Sequence, residues 1–170
     1  YHYERSNATQ KAVEYLVRAG ERAQHAYTND EAIGYFQRAL ALLDSLASHS
    51  AQAVWVDAER WRLHVLKGLG IVYWSISDLA DAEFYLHRAI AQAHKIGAPR
   101  PEWAPLYGWL CRLLRWQSRL DDLILVGMEG LAQLGDDAQS PEAAIFYGNV
   151  IEAYYLKDDR DHYHEMQRRL

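Results

Sequence analysis

The chain has 170 residues, half of them apolar, and carries a net charge of −5 with acidic and basic side chains interspersed. This length suits one globular domain or a short array of helices, and four prolines and ten glycines are too few for a disordered chain. The interspersed, net negative charge argues against nucleic acid and anionic membranes as partners.

No apolar run reaches the roughly 18 residues of a membrane span. The single Cys111 cannot form an internal disulfide, and the sequence shows no signal peptide. Both observations favour a reducing, cytoplasmic location. Alternating runs bounded by turn residues are absent, so the sequence predicts no β-sheet.

The N-terminal quarter predicts two amphipathic helices. Tyr1–Arg5 has the composition of a last helical turn, and Asn7-Ala8-Thr9 is expected to end it, with Thr9 capping a new helix over 10–27. A second helix is predicted over 31–46. Both helices carry a small–large–small spacing on one face, at Ala12, Leu16 and Ala19 and at Ala32, Phe36 and Ala39.

Residues 63–96 contain the pattern around which the rest of the chain is organised. A long helix over roughly 51–76, with Trp55 and Trp61 as packing residues, leads to a turn whose Asp78 caps the next helix. Large and small residues alternate on the facing sides of these two helices, at Leu66, Leu69, Gly70 and Tyr73 and at Ala82, Leu86 and Ala89. Gly70 and Ala82 would leave room where the helix axes cross.

The C-terminal part predicts two further hairpins. After the helix breaker at 97–101, helices are expected over 102–117 and 120–134. A shift of 41 residues places Leu110-Cys111 on Leu69-Gly70, and it places Leu123, Gly127 and Gly130 on Ala82, Leu86 and Ala89. Ser140-Pro141-Glu142 is a strong start signal for a helix over 141–156, and Asp158-Asp159 precedes a last one.

This order of residue types resembles the tetratricopeptide repeat (TPR) family, although Leu66 replaces the usual Trp and His94 the closing Pro. The resemblance implies an all-α fold, an antiparallel, right-handed helical-hairpin array or α-solenoid. It implies a single repeat domain over 1–170 that is not an enzyme and needs no cofactor. The corresponding hairpin units are approximately 1–27, 31–62, 63–96, 104–134 and 144–170.

The N-terminal run resembles a narrower group, the helical region after the ATPase module of bacterial STAND-type signalling ATPases, which are often fused to class III adenylate or guanylate cyclases. The residues that carry this likeness are His2-Tyr3, Ala12-Val13-Glu14-Tyr15, Ala19-Gly20, Ala23, Glu31-Ala32-Ile33 and Ala39-Leu40. It implies a parent with nucleotide-driven switching, of which this chain is a segment. No glycine-rich phosphate loop occurs in the chain itself.

In such an array, the first helix of each unit lines a concave face that can bind a peptide or a partner domain. The residues predicted for this face are His64, Lys67, Ile71, Trp74 and Ser75, then Gly108, Arg112, Arg115 and Trp116, and finally Gly148, Glu152 and Tyr155. Trp, Tyr and Arg are enriched at interface hot spots. Arg112 and Arg115 stand three residues apart and could hold a carboxylate or phosphate.

Several alternatives stay open. Trp74 and Trp116 could pack between helices while the arginines are merely solvated. The chain could instead be a sensor in which Arg112 and Arg115 converge on a small anion, or a homo-oligomerisation segment. A metal site at 158–164 is disfavoured because His162 and His164 do not share a helix face, and Cys111 reads as an inert buried thiol.

Overall fold

The computed structural model describes residues 2–49, 57–135 and 140–170, and these residues form eight α-helices joined by turns. The helices are α1 His2–His25, α2 Asn29–His49, α3 Ala58–Ser75, α4 Leu79–Lys95, α5 Arg100–Trp116, α6 Leu120–Leu134, α7 Pro141–Leu156 and α8 Arg160–Arg169. They divide into two compact units, Tyr1–Gly97 and Ala98–Leu170. Within the described ranges, no helix is both long and apolar enough to cross a membrane.

The helix α1 runs without interruption, so the predicted break at Asn7-Ala8-Thr9 and the cap at Thr9 are wrong. None of these three residues is a strong helix breaker, since each lies only a few tenths of a kcal/mol below Ala or is Ala itself. Burial of Val13, Leu16 and Val17 in the following turns stabilises the whole helix. The predicted helix start at 51 and Trp55 lie outside the described residues.

Each of the four hairpins turns on one residue with a left-handed backbone. These residues are Tyr27, Ser77, Ser118 and Asp158, with φ between 54° and 63°. In each turn this residue donates its N–H to the carbonyl three residues back, and the next residue donates to the carbonyl five residues back. This pair of bonds is the Schellman motif, which satisfies the last carbonyls of a helix. The same reversal therefore recurs four times with three different residue types at the left-handed position.

In the first unit, one aromatic ring lies against two helix backbones. Phe36 of α2 is buried, and a Cβ added at Gly20 of α1 or at Gly68 of α3 would lie 2.8 Å and 2.6 Å from its ring. Gly70 of α3 likewise leaves space for a side chain of α4, since its added Cβ would lie 2.9 Å from Cγ of Leu86. Glycine is thus needed where a large side chain fills the space between two closely spaced helices.

In the second unit, the close approach lies between α6 and α7. A Cβ added at Gly130 would lie 3.0 Å from the Phe146 ring, and one at Gly127 would lie 2.5 Å from Cγ2 of Val150. The sequence alignment of these glycines with Leu86 and Ala89 indicated close packing within their own hairpin. The structure instead uses them to bring the next hairpin close.

We expect Gly70→Leu to destabilise the protein by about 1–3 kcal/mol, because the new side chain overlaps Leu86. Gly34→Leu is the matched control, since an added Cβ at Gly34 of α2 meets nothing within 4 Å. Urea denaturation measures both changes. Equal midpoints for the two variants would show that Gly70 is not a packing residue.

We expect Ser118→Gly to stabilise the protein by about 0.5–1 kcal/mol, because glycine adopts a positive φ without the steric penalty of a Cβ. Ser118→Ala keeps the Cβ and should bring no gain. Thermal melts of the two variants test the assignment. A gain from alanine as large as that from glycine would contradict it.

Candidate functional site

A groove lies between α5 and α7, the first helices of the two hairpins in the second unit. Its volume is about 490 Å³, and its lining residues recur every three or four positions, so one face of each helix forms each wall. The α5 wall consists of Ala104, Pro105, Gly108, Trp109, Arg112 and Arg115, and the α7 wall of Glu142, Ile145, Phe146, Asn149 and Glu152.

An aromatic cluster sets the distance between the two walls. The ring of Phe146 stacks on Trp103 at 6.5 Å and meets Tyr107 edge-on at 6.0 Å, between ring centroids. The hydroxyl of Tyr107 donates to Oε1 of Glu129 on α6, at 2.8 Å. Burial and this carboxylate raise the pKa of Tyr107, so its hydroxyl keeps the proton that it donates. The cluster therefore joins all three helices, and its Phe146 forms a buried part of the groove lining.

Arg112, Arg115 and Glu152 lie toward the carboxyl ends of α5 and α7, whereas Glu142 lines the groove from the first turn of α7. The guanidinium of Arg112 lies 4.6 Å from the ring centroid of Trp109, a cation–π contact. Arg115 donates from Nη1 to Oε1 of Glu152 at 2.9 Å, which joins the two walls. Asn149 donates to the carbonyl of Ile145 at 2.8 Å and leaves its amide oxygen as an acceptor.

The structure brings together part of the residues predicted for the concave face. Gly108, Arg112, Arg115 and Glu152 all line the groove. Trp116 does not line it and is 73% exposed, at the end of α5. In this unit, therefore, the interpretation that Trp116 packs between helices is wrong.

The remaining predicted residues lie elsewhere. Tyr155 is 69% exposed and belongs to a second, shallower depression of about 600 Å³ at the α7–α8 turn. Its lining is Tyr154, Tyr155, Leu156, Asp158, Asp159, Arg160, Tyr163 and His164. In the first unit, His64 and Ser75 are exposed on α3, whereas Lys67, Ile71 and Trp74 are half-buried; on α7, Gly148 is exposed.

The residues predicted to pack between paired helices are buried at Ala32, Phe36, Ala39, Leu66, Gly70, Tyr73, Ala82, Leu86 and Ala89, whereas Ala12, which has the same spacing on α1, is half-buried. Tyr73 joins three helices, since its ring stacks on Tyr85 of α4 and its hydroxyl accepts a hydrogen bond from Gln37 of α2 at 3.1 Å. The Cys111 thiol is also fully buried, and burial raises its pKa to about 12. It is therefore neutral and unreactive near pH 7.

The sequence analysis missed Trp109, Ile145 and Asn149 as groove residues. Helical spacing was a usable signal, because Trp109 lies one turn before Arg112, and Ile145 and Asn149 precede Glu152 on the same face. The spacing does not show that α5 and α7 are in contact, because the whole of α6 lies between them in the chain.

Gly108 differs from the packed glycines described above. An added Cβ there would meet only Cγ2 of Ile145, at 4.0 Å. No neighbouring side chain needs the space, although glycine inside a helix is less stable than alanine by about 0.5–1 kcal/mol. The missing side chain widens the groove at this point.

We therefore expect Gly108→Ala to stabilise the protein by about 0.5–1 kcal/mol through helix propensity. Gly127→Ala, in the neighbouring helix, should destabilise it because of the contact with Val150. Chemical denaturation of the two variants gives the comparison. A loss of stability in Gly108→Ala would mean that the groove wall is packed.

Comparison with known proteins yields a fold but no family. No protein-family model matches the chain, and no curated protein matches it either. Among solved structures, it is similar to the TPR-like repeats of a protein described as a kinesin light chain from Podospora anserina. The TM-score is 0.55 at 16% sequence identity, over 98% of this chain and 87% of that one.

At this level of identity, the similarity shows the fold alone. It confirms the predicted all-α class, an antiparallel array of helical hairpins of the TPR-like type. The narrower resemblance to signalling ATPases and cyclases gains no support from these comparisons.

Proposed function

We propose that the chain is a protein-interaction scaffold that binds an extended segment of a partner protein in the α5–α7 groove. The observation that carries this proposal is the groove itself, whose walls carry Arg112 over the ring of Trp109 and the exposed side chain of Ile145. A TPR-like array stacks such hairpins side by side, and binding surfaces in repeat proteins form along neighbouring units.

The dimensions of the groove suit a short extended peptide. Its α5 wall covers 104–115, which corresponds to about 16 Å of helix. An extended chain advances about 3.3 Å per residue, so about five residues fit. A volume of about 490 Å³ also lies within the usual range for binding clefts.

The side chains of the walls supply the contacts that peptide recognition requires. Ile145, which is exposed, offers apolar contact, Arg112 offers a cation, and the amide of Asn149 can pair with a peptide group. Trp and Arg are the residue types that most often dominate binding energy. Trp116 and Tyr155, exposed beside this region, would extend the surface.

Two wider parts of the proposal rest on sequence alone. The first is that the chain is a cytoplasmic regulatory segment of a larger signalling ATPase or cyclase-like protein, whose own domains could be partners. The support is the resemblance in the N-terminal quarter. The second is that His64, Lys67 and Trp74 form a further part of the binding face in the first unit. The exposure of His64 is compatible with this role.

A sensor for a small anion is the less favoured alternative. Pro105, Arg112 and Arg115 are exposed although they line the groove, so the site is open to solvent. The two arginines share it with Glu142 and Glu152, which lower its affinity for free anions. Homo-oligomerisation would use exposed apolar residues such as Leu125 and Ile145, and it would appear as a mass that depends on concentration.

The test is a selection of displayed random twelve-residue peptides on the full chain, followed by fluorescence anisotropy of the enriched peptides. We expect Arg112→Ala to weaken their binding at least tenfold, as for a hot-spot residue. Arg18→Ala removes an equal charge from an exposed position on α1 and should change affinity less than twofold. Equal losses in the two variants would contradict groove binding.

A further inference from the structure

The ion pair between Arg115 and Glu152 joins the two walls of the groove, and it occupies a guanidinium suited to ligand binding. The Nη1–Oε1 distance is 2.9 Å, and the two side chains are 46% and 44% exposed. Exposed ion pairs contribute little to stability, so a ligand can break this one at small cost. A guanidinium carries five N–H donors, and the bond to Glu152 uses one of them.

We propose that Glu152 is a specificity-determining residue whose carboxylate competes with an acidic side chain of the bound segment for Arg115. This inference rests on the proposed function, and it names the chemical class of the ligand as a peptide with a carboxylate. Arginine binds carboxylates through paired N–H groups, so a ligand carboxylate can replace that of Glu152 directly.

The charges in the groove also determine how acidic a bound segment can be. Glu152 neutralises the charge of Arg115 at this end of the groove. The native groove should therefore favour segments with fewer acidic residues than a groove in which Arg115 is released. Removal of the Glu152 charge would release Arg115 and shift the preference toward more acidic segments.

Glu142 provides the matched control. It lies in the first turn of α7, lines the same groove and carries the same charge. Glu142 precedes Glu152, the partner of Arg115, by ten residues of α7, or about 15 Å along the helix. Glu142→Gln therefore changes the net charge of the groove as Glu152→Gln does but releases no arginine.

The experiment selects random twelve-residue peptides in parallel on the native chain, on Glu152→Gln and on Glu142→Gln, and counts the acidic residues in each enriched pool. We expect the Glu152→Gln pool to be the more acidic. Its peptides should bind that variant about tenfold more tightly than the native chain. Arg115→Ala in the Glu152→Gln background should abolish this gain, which a purely structural role of Glu152 would not predict.

The outcomes separate the two proposals. Equal acidic content in the Glu152→Gln and Glu142→Gln pools overturns the competition, because it shows a general effect of charge. Weaker binding of acidic peptides by Glu152→Gln also overturns it, since Glu152 would then position Arg115 for the ligand. Peptides on the native chain that bind independently of Arg112 overturn the proposed function, and with it this inference.

Discussion

Neighbouring helices approach closely at glycine residues, where one large side chain fills the space between their backbones. The packing of the helices within each unit depends on these contacts. Phe36 lies against Gly20 and Gly68 in the first unit, and Phe146 lies against Gly130 in the second. Each ring touches helices that are distant in sequence and so fixes how neighbouring hairpins stack. Burial of each ring contributes about 1.5–3 kcal/mol to the free energy of unfolding.

This constraint also shapes the groove. Phe146 packs on the backbone of α6 with one part of its ring and on Trp103 and Tyr107 of α5 with others. The position of α7 relative to α5 follows from these contacts, and with it the width of the cleft. Polar residues at its rim, such as Arg112 and Asn149, are then held on rigid helices. Preorganisation of this kind reduces the entropy lost when a ligand binds.

Much of the fold could be predicted from sequence because its signals are local. Leu66, Gly70 and Tyr73 lie within two turns of one helix, and their partners follow immediately after a short turn. The left-handed residues of the turns were harder to predict, since Tyr27, unlike Asp158, is a residue type that seldom adopts a positive φ. At Asn7-Ala8-Thr9, packing of the following residues outweighed weak local preferences.

Less of the site could be predicted, because it depends on contacts between hairpins. Arg112, Arg115 and Glu152 were found by aligning repeats, yet the bond between Arg115 and Glu152 required knowledge of which helix faces meet. Gly127 and Gly130 show the same difficulty, since their spacing indicates close packing but does not show that the partner helix is α7.

Amide chemical shifts would show whether the α5–α7 groove is the binding surface, as proposed. A labelled sample of the full chain, titrated with a peptide selected on it, should show its largest shifts at Gly108, Arg112, Asn149 and Glu152. Largest shifts on α6 at Leu125 and Met128, or on α3 in the first unit, would contradict binding in the α5–α7 groove.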